Sequence, residues 1–315
     1  MPRTPPSVWN RVEALLDRVE KPAQYAGGER NQVVKDPRSV DVRVALAFPD
    51  TYAIGMSHLG LRILYGILNE RADCYAERAF CPWTDMERAM REAKIPLFSL
   101  ETHTPLAAFD ILGFSLSYEL SNTNLLNMLD LAGIPLHRRD RAEDAPLVLA
   151  GGDGAASPEP MADFVDLFLI GDGEDALPAL VDVFQECRRA GLSRRETLVE
   201  IVRRVPGWYA PEFYRPVFHR DGTMAGMEVT DPRVPERVLE VHIPSLENAY
   251  FPTKPVIPYA ECVHDRIALE VMRGCTQGCR FCQAGMIKRS QRLRSPETLL
   301  RLARETYANT GYDEI

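Results

Sequence analysis

The sequence lacks the marks of a membrane-spanning or exported protein. No apolar run reaches the about 18 residues that predict a transmembrane helix. Residues 1–7 are rich in proline and have no apolar core, which argues against a secretory signal. The chain also has fewer basic than acidic residues: it contains 37 Lys and Arg and 45 Asp and Glu, which gives a net charge of −8. This balance argues against a general nucleic-acid-coating protein. Without a predicted signal or membrane helix, the expected compartment is the cytoplasm.

Internal repeats and an even cysteine count are also missing. Seven cysteines are present. An odd number in a chain of this length that is expected in the cytoplasm argues against a disulfide framework. Hydrophobic residues make up 45%, enough for a folded core. The length of 315 residues predicts about two domains.

From about residue 41, apolar strand-like runs alternate with helical patterns. Val42–Phe48 has the continuous β-branched and apolar character of a buried parallel strand. A helix is predicted over 84–92, with Thr84 or Asp85 as its N-cap. Four further strands are predicted, at Tyr75–Cys81, Asp110–Leu116, Leu147–Ala150 and Val165–Ile170. Five strands with intervening helices predict an α/β fold built on an open, doubly wound parallel sheet.

After residue 205 the pattern changes. Tyr214–His219 and Met224–Val229 flank Asp221-Gly222 and predict a β-hairpin with a primed turn. Ile267–Met272 predicts a strand, and Ser295-Pro296-Glu297 starts a helix. We therefore predict four units: a helical extension, a sheet domain, a hairpin with a linker, and the start of a further domain, at 1–40, 41–205, 206–262 and 263–315.

Three cysteines lie within eight residues, with the spacing C-x3-C-x2-C: Cys275, Cys279 and Cys282. Thiolates so close together select zinc or an iron–sulfur cluster. Structural zinc usually takes two cysteine pairs, and no second pair is evident. Three thiolates leave one corner of a [4Fe–4S] cube open to a substrate or cofactor. Cys262 is expected to be a free thiol, and Cys187 to pack inside a helix.

The stretch from Arg273 to Gln283 closely resembles the radical S-adenosylmethionine (radical SAM) superfamily. The resemblance implies that Cys275, Cys279 and Cys282 bind a [4Fe–4S] cluster whose open iron chelates S-adenosylmethionine. Reductive cleavage of that molecule would yield a 5′-deoxyadenosyl radical. Phe281 fills the usual aromatic place and would lie near the adenine. The family takes electrons from a donor such as flavodoxin or ferredoxin; the substrate stays unspecified.

The sheet region resembles the cobalamin-binding domain that precedes many radical SAM barrels. By this resemblance Tyr52, Ser115, Gly151 and Gly152 occupy cofactor-binding positions. Tyr52 stands where a histidine ligand of cobalt would be, and a neutral phenol is a poor cobalt ligand. Any corrinoid would then bind without a histidine lower ligand. His58 is the alternative, but its place before a helix favours a local hydrogen bond.

The turn Gly171-Asp172-Gly173-Glu174 leads into a helix N-terminus. Backbone N–H groups there could meet an anion. A plain turn with a helix cap explains the same residues equally well.

The chain is also expected to stop inside the second domain. From Ile267 to Ile315 there are 315 − 267 + 1 = 49 residues, about one and a half β/α units at about 31 residues each. The superfamily's barrel usually has six units. We therefore expect that the barrel is incomplete and that this chain cannot catalyse turnover by itself.

Two alternatives remain at this point. A methylthiotransferase-like enzyme would hold a second cluster, to which Cys74 and Cys81 could contribute. A non-enzymatic, metal-held binding module would use residues 266–305, which carry nine Lys and Arg against three Glu, to contact RNA.

Overall fold

The structure is a computed structural model that describes residues 7–315. Part of the predicted 1–40 extension, residues 1–6, lies outside the described residues. The rest of that extension forms two short helices, α1 (Trp9–Glu13) and α2 (Ala23–Ala26). Val12 and Tyr25 are buried against the main core, so this segment packs on the sheet domain.

Six strands form the central sheet: β1 (Val42–Phe48), β2 (Cys74–Phe80), β3 (Ile111–Ser115), β4 (Leu147–Gly151), β5 (Leu167–Leu169) and β6 (Trp208–Tyr209). Their order is β2-β1-β3-β4-β5-β6. The first five run parallel, in the flavodoxin-like order of a doubly wound fold. The predicted fold class is confirmed. The sequence did not reveal β6, which adds antiparallel to β5 at one edge.

Helices cover the sheet: α3 (Tyr52–Gly55), α4 (Leu59–Glu70), α5 (Thr84–Ala93), α6 (Asn122–Leu131), α7 (Gly173–Arg189) and α8 (Arg194–Arg204). Every residue of β1 and β2 is buried, as expected for strands covered on both faces. The predicted N-cap of α5 is wrong, because Trp83 takes the extended cap conformation and Thr84 is already helical.

The strands β7 (Tyr214–Phe218) and β8 (Met224–Val229) form the predicted hairpin. Its predicted primed turn is wrong, because five residues, 219–223, connect the strands. A two-residue type I′ turn needs positive φ at both central positions, and within this loop only Gly222 has it, at 85°. The Asp221 carboxylate accepts a hydrogen bond from Thr223 N at 3.0 Å and stabilises the longer loop.

The C-terminal part contains β9 (Met272–Arg273), α9 (Gln283–Ile287), β10 (Arg292–Leu293) and α10 (Pro296–Thr310). The predicted start of α10 is confirmed, since Ser295 Oγ accepts from Thr298 N at 3.2 Å. The strand predicted over 267–272 is wrong except at Met272, where β9 begins and pairs with β10. Residues 312–315 form no strand. Backbone pairing there reduces to one bond, from Ile267 N to Glu314 O at 2.9 Å. Across residues 7–315, each helix is too short or too polar to cross a bilayer.

Candidate functional site

A cleft of about 370 Å³ opens at the carboxyl ends of β1, β3, β4 and β5. The strand order reverses between β1 and β3, and ligands of open α/β sheets bind at such a switch point. The floor of the cleft is apolar. It is formed mainly by Leu46, Phe114, Leu116, Leu149, Leu169 and Trp208.

Two loops form the centre of the cleft and hold three of the predicted positions: Ser115, Gly151 and Gly152. Leu116 N donates to Gly151 O at 2.7 Å, so the loops after β3 and β4 are joined. Gly152 has a φ of 100°, and a Cβ there would lie 2.5 Å from Leu116 O. Only glycine fits at that position without strain.

Tyr52, the fourth predicted cofactor-binding position, does not line the cleft. Tyr52 is the first residue of α3 and is 2% exposed. Its hydroxyl donates to Glu29 and accepts from Tyr259 N at 3.2 Å. Glu29 is also paired with Arg78 at 2.5 Å, so Tyr52 belongs to a buried polar network.

His58 lines the cleft and caps α4, as the sequence predicted. Its Nδ1 accepts a hydrogen bond from Leu61 N at 3.1 Å. Burial, with help from the charge of Lys288, lowers the pKa of His58 to about 4. The neutral ring therefore carries its proton on Nε2, because Nδ1 is the acceptor. A ring in this state has no free lone pair for a metal.

The cysteine loop connects β9 to α9 and folds back on itself. Cys275 N donates to Lys288 O at 2.8 Å, which closes the loop across its base. Gly274 has a φ of 90°, and a Cβ there would lie 2.3 Å from Ser290 O. Cys282 caps α9, with its Sγ accepting from Gly285 N at 3.4 Å.

The three motif thiols remain accessible but are not assembled. Cys279 is exposed, and Cys275 and Cys282 are partly exposed. Within the described part of the chain, no three His, Cys, Asp or Glu side chains form a metal-binding group. Phe281 is 93% exposed and does not line the cleft. The donor set and the glycine-bounded loop fit a thiolate-bound cluster, and closure around it requires side-chain rearrangement.

The other four cysteines are poor ligands. Burial raises the pKa of Cys74 to about 12, and those of Cys81 and Cys262 to about 11. Burial also raises the pKa of Cys187. Thiolates are the metal-binding form, so these side chains stay protonated and inert.

Charged contacts attach the cysteine loop to the sheet domain. Arg273, two residues before Cys275, is paired with Asp172 at 2.9 Å and with Glu174 at 2.7 Å. Burial by itself would raise the pKa of Asp172. Hydrogen bonds from Arg292 and Arg273 outweigh that effect, so the pKa of Asp172 lies below its ordinary value. The sequence interpretation missed this role. The signal that could have revealed these ion pairs is the excess of basic residues over 266–305, since the rest of the chain is acidic.

The sequence left two interpretations of Gly171-Asp172-Gly173-Glu174 open, an anion site and a plain turn with a helix cap. In the structure this turn binds cations through its side chains. The two carboxylates of this turn bind arginines of the C-terminal part. Asp172 precedes α7 but makes no side-chain cap bond. The turn is therefore an attachment point for the cysteine loop.

One solved structure aligns with most of the chain. It is the cobalamin-dependent S-adenosylmethionine radical enzyme OxsB, with aqua-cobalamin and S-adenosylmethionine bound. The alignment covers 86% of this chain at 16% identity, with a TM-score of 0.44. This chain spans about a third (32%) of the length of that enzyme. None of the curated proteins gives a significant match.

The family assignment rests on the sequence of the sheet domain. Residues 60–211 match the family described as radical SAM proteins, N-terminal. That segment runs from α4 to just beyond β6 and includes the cleft loops that follow β3, β4 and β5. Residues 60–211 are therefore similar in sequence to the N-terminal region of radical SAM proteins.

Proposed function

We propose that the chain is part of an iron–sulfur enzyme in which Cys275, Cys279 and Cys282 hold a [4Fe–4S] cluster. A bound cluster supplies the electron that cleaves S-adenosylmethionine to a 5′-deoxyadenosyl radical. Each motif thiol is at least partly accessible, whereas Cys74, Cys81 and Cys187 are buried. Gly274 and Gly278, with φ of 90° and 66°, allow the turns that such a loop requires.

One observation carries the second half of the proposal: the cleft has walls from both parts of the chain. The sheet loops form one wall, and the flanks of the cysteine loop form the other, through Glu270, Arg273, Ile287 and Lys288. A ligand in the cleft would therefore lie beside the cysteine loop. We propose a corrinoid as that ligand, with its apolar portion on the floor of the cleft.

His58 determines how a corrinoid would be held. Its Nδ1 is engaged by Leu61 N, and its Nε2 carries the proton. Coordination of cobalt through Nε2 would require the tautomer with its proton on Nδ1. That Nδ1–H group would then face the N–H group of Leu61. We infer that a corrinoid binds here without a histidine lower ligand.

The alternatives have less support. A second cluster would need Cys74 and Cys81, whose thiols are buried and whose pKa values burial raises. An RNA-binding surface would need free positive charge on 266–305. However, Arg273, Arg292 and Lys288 are paired with carboxylates of the sheet domain.

Anaerobic reconstitution with iron and sulfide tests the proposal. We expect about four irons per chain, with broad absorption in the violet region. Zinc without iron would contradict the cluster. Separately, aqua-cobalamin is titrated into the chain and followed by its absorption spectrum and by filtration. Retained cobalamin is expected, and its free passage would contradict the corrinoid site.

A further inference from the structure

We propose that Asp172 is a positioning residue that fixes the cysteine loop at the mouth of the cleft. This inference rests on the proposed function only where it concerns a cluster. The position of the loop itself can be tested in the metal-free chain.

One carboxylate binds both strands that flank the loop. Asp172 Oδ1 lies 2.9 Å from Arg273 Nη1, and its Oδ2 is bonded to Arg292 Nη1. Arg273 and Arg292 are partners in the β9–β10 pair, one before and one after the three cysteines. Asp172 Oδ2 also accepts from Ile243 N at 3.0 Å. The carboxylate therefore joins the ends of the loop to the sheet domain and to the linker.

The contact is buried, which makes it strong as a tether. The side chains of Asp172 and Arg292 are each 8% exposed, and that of Arg273 is 13% exposed. Removing one partner of a buried pair leaves an uncompensated charge and is strongly destabilising. Exposed pairs contribute little. Loss of the Asp172 charge should therefore release the loop locally.

The neighbouring carboxylates do not duplicate this tether. Glu270 pairs with Arg273 at 2.9 Å but belongs to the same C-terminal segment, so it cannot anchor the loop to the sheet. Glu174 reaches Arg273 but not Arg292. Asp172 alone among the three carboxylates joins both arginines to the sheet.

The tether has a functional consequence, because Asp172 and Arg273 both line the cleft. A ligand in the cleft and a cluster on the loop would have their separation set by this ion pair. Asp172 acts through the loop and has no role in the chemistry itself.

Asp172→Asn is the informative variant. Asparagine is as good an N-cap as aspartate, and Asp172 makes no side-chain cap bond, so helix α7 should be spared. The matched control is Asp182→Asn, which removes an exposed carboxylate of the same helix, paired with Arg71.

Hydrogen exchange of the metal-free chain measures the position of the loop. In Asp172→Asn we expect the amides of 272–293, including Cys275 N–H, to exchange about tenfold faster or more. Amides of β1 and β3 should be unchanged, and Asp182→Asn should match the wild type. Unchanged protection of 272–293 in Asp172→Asn would overturn the inference.

Two further measurements separate positioning from general stability. Asp172→Glu keeps the charge and should restore part of the protection. If Asp172→Asn does not fold, Arg292→Lys, which keeps charge but loses the planar fork, should give intermediate exchange, and wild-type exchange would overturn the inference.

The reconstituted chain supplies a spectroscopic readout. Asp172→Asn keeps all three thiols and should bind iron as the wild type does. The electron paramagnetic resonance spectrum of its reduced cluster with S-adenosylmethionine should become heterogeneous. A spectrum identical to that of the wild type would count against positioning. If the wild type binds no iron, the proposed function fails, and exchange still decides the role of Asp172.

Discussion

Lys288 and Asp153 form an ion pair across the mouth of the cleft, with Nζ and Oδ1 2.6 Å apart. Asp153 follows the Gly151-Gly152 turn of the sheet domain, and Lys288 closes the cysteine loop through its carbonyl oxygen. Both side chains are partly exposed, at 40% and 35%. The pair can therefore open at little cost, unlike the buried contact of Asp172.

The first prediction concerns this pair. Lys288→Gln should change the free energy of unfolding by less than about 1 kcal/mol, because exposed pairs contribute little. It should speed the association of aqua-cobalamin with the cleft, since the mouth opens more readily. Stopped-flow absorption measures the rate. High salt should speed association with the wild type but not with the variant, and an equal salt effect on both would show that the ion pair does not restrict the mouth.

The second prediction concerns the thiols. Cys275→Ser, Cys279→Ser and Cys282→Ser should each reduce iron after reconstitution well below the wild-type value, because each removes one of three ligands. Cys262→Ser is the control and should keep about four irons per chain. Iron and sulfide analysis measures the outcome. Loss of iron in Cys262→Ser would instead make that thiol a fourth ligand.

The third prediction concerns the two glycines at the centre of the cleft. Gly152→Ala should destabilise the fold by about 2–4 kcal/mol, because its positive φ and the close approach to Leu116 O both oppose a Cβ. Gly151→Ala is the matched control, since its Cβ would meet only Leu169 Cβ at 3.7 Å. Urea unfolding compares them. Equal stability of the two variants would refute the close approach.

The fourth prediction concerns pH. The pKa of His58 falls from 6.5 to about 4 in the folded chain, chiefly through burial. The neutral ring therefore favours the folded state above pH 6.5, and this contribution is lost as pH falls toward 4. The full effect is roughly 3 kcal/mol.

His58→Asn isolates that effect, because asparagine keeps an N-cap acceptor for Leu61 N but does not titrate. The stability of the variant should fall less than that of the wild type between pH 6.5 and 4, as measured by urea unfolding at each pH. Parallel curves would show that His58 is not the group responsible.

Local sequence signals were sufficient for most individual elements. The strand Val42–Phe48 and the helix from Ser295 follow from apolar runs and capping chemistry, which act over a few residues. The spacing of Cys275, Cys279 and Cys282 likewise indicated a thiolate metal site before the fold was known. Short elements such as β6 lack such a signal, because two residues become a strand only when a neighbouring edge accepts them.

The sequence by itself determined the doubly wound sheet, the radical SAM resemblance and the capping role of His58, because each depends on short-range patterns. Only the tertiary structure placed Tyr52 in a buried polar network outside the cleft lining and brought Asp172 to Arg273, 101 residues further along the chain. Burial and long-range ion pairing depend on how distant segments pack. Neither the spacing of residues nor their local chemistry contains that information.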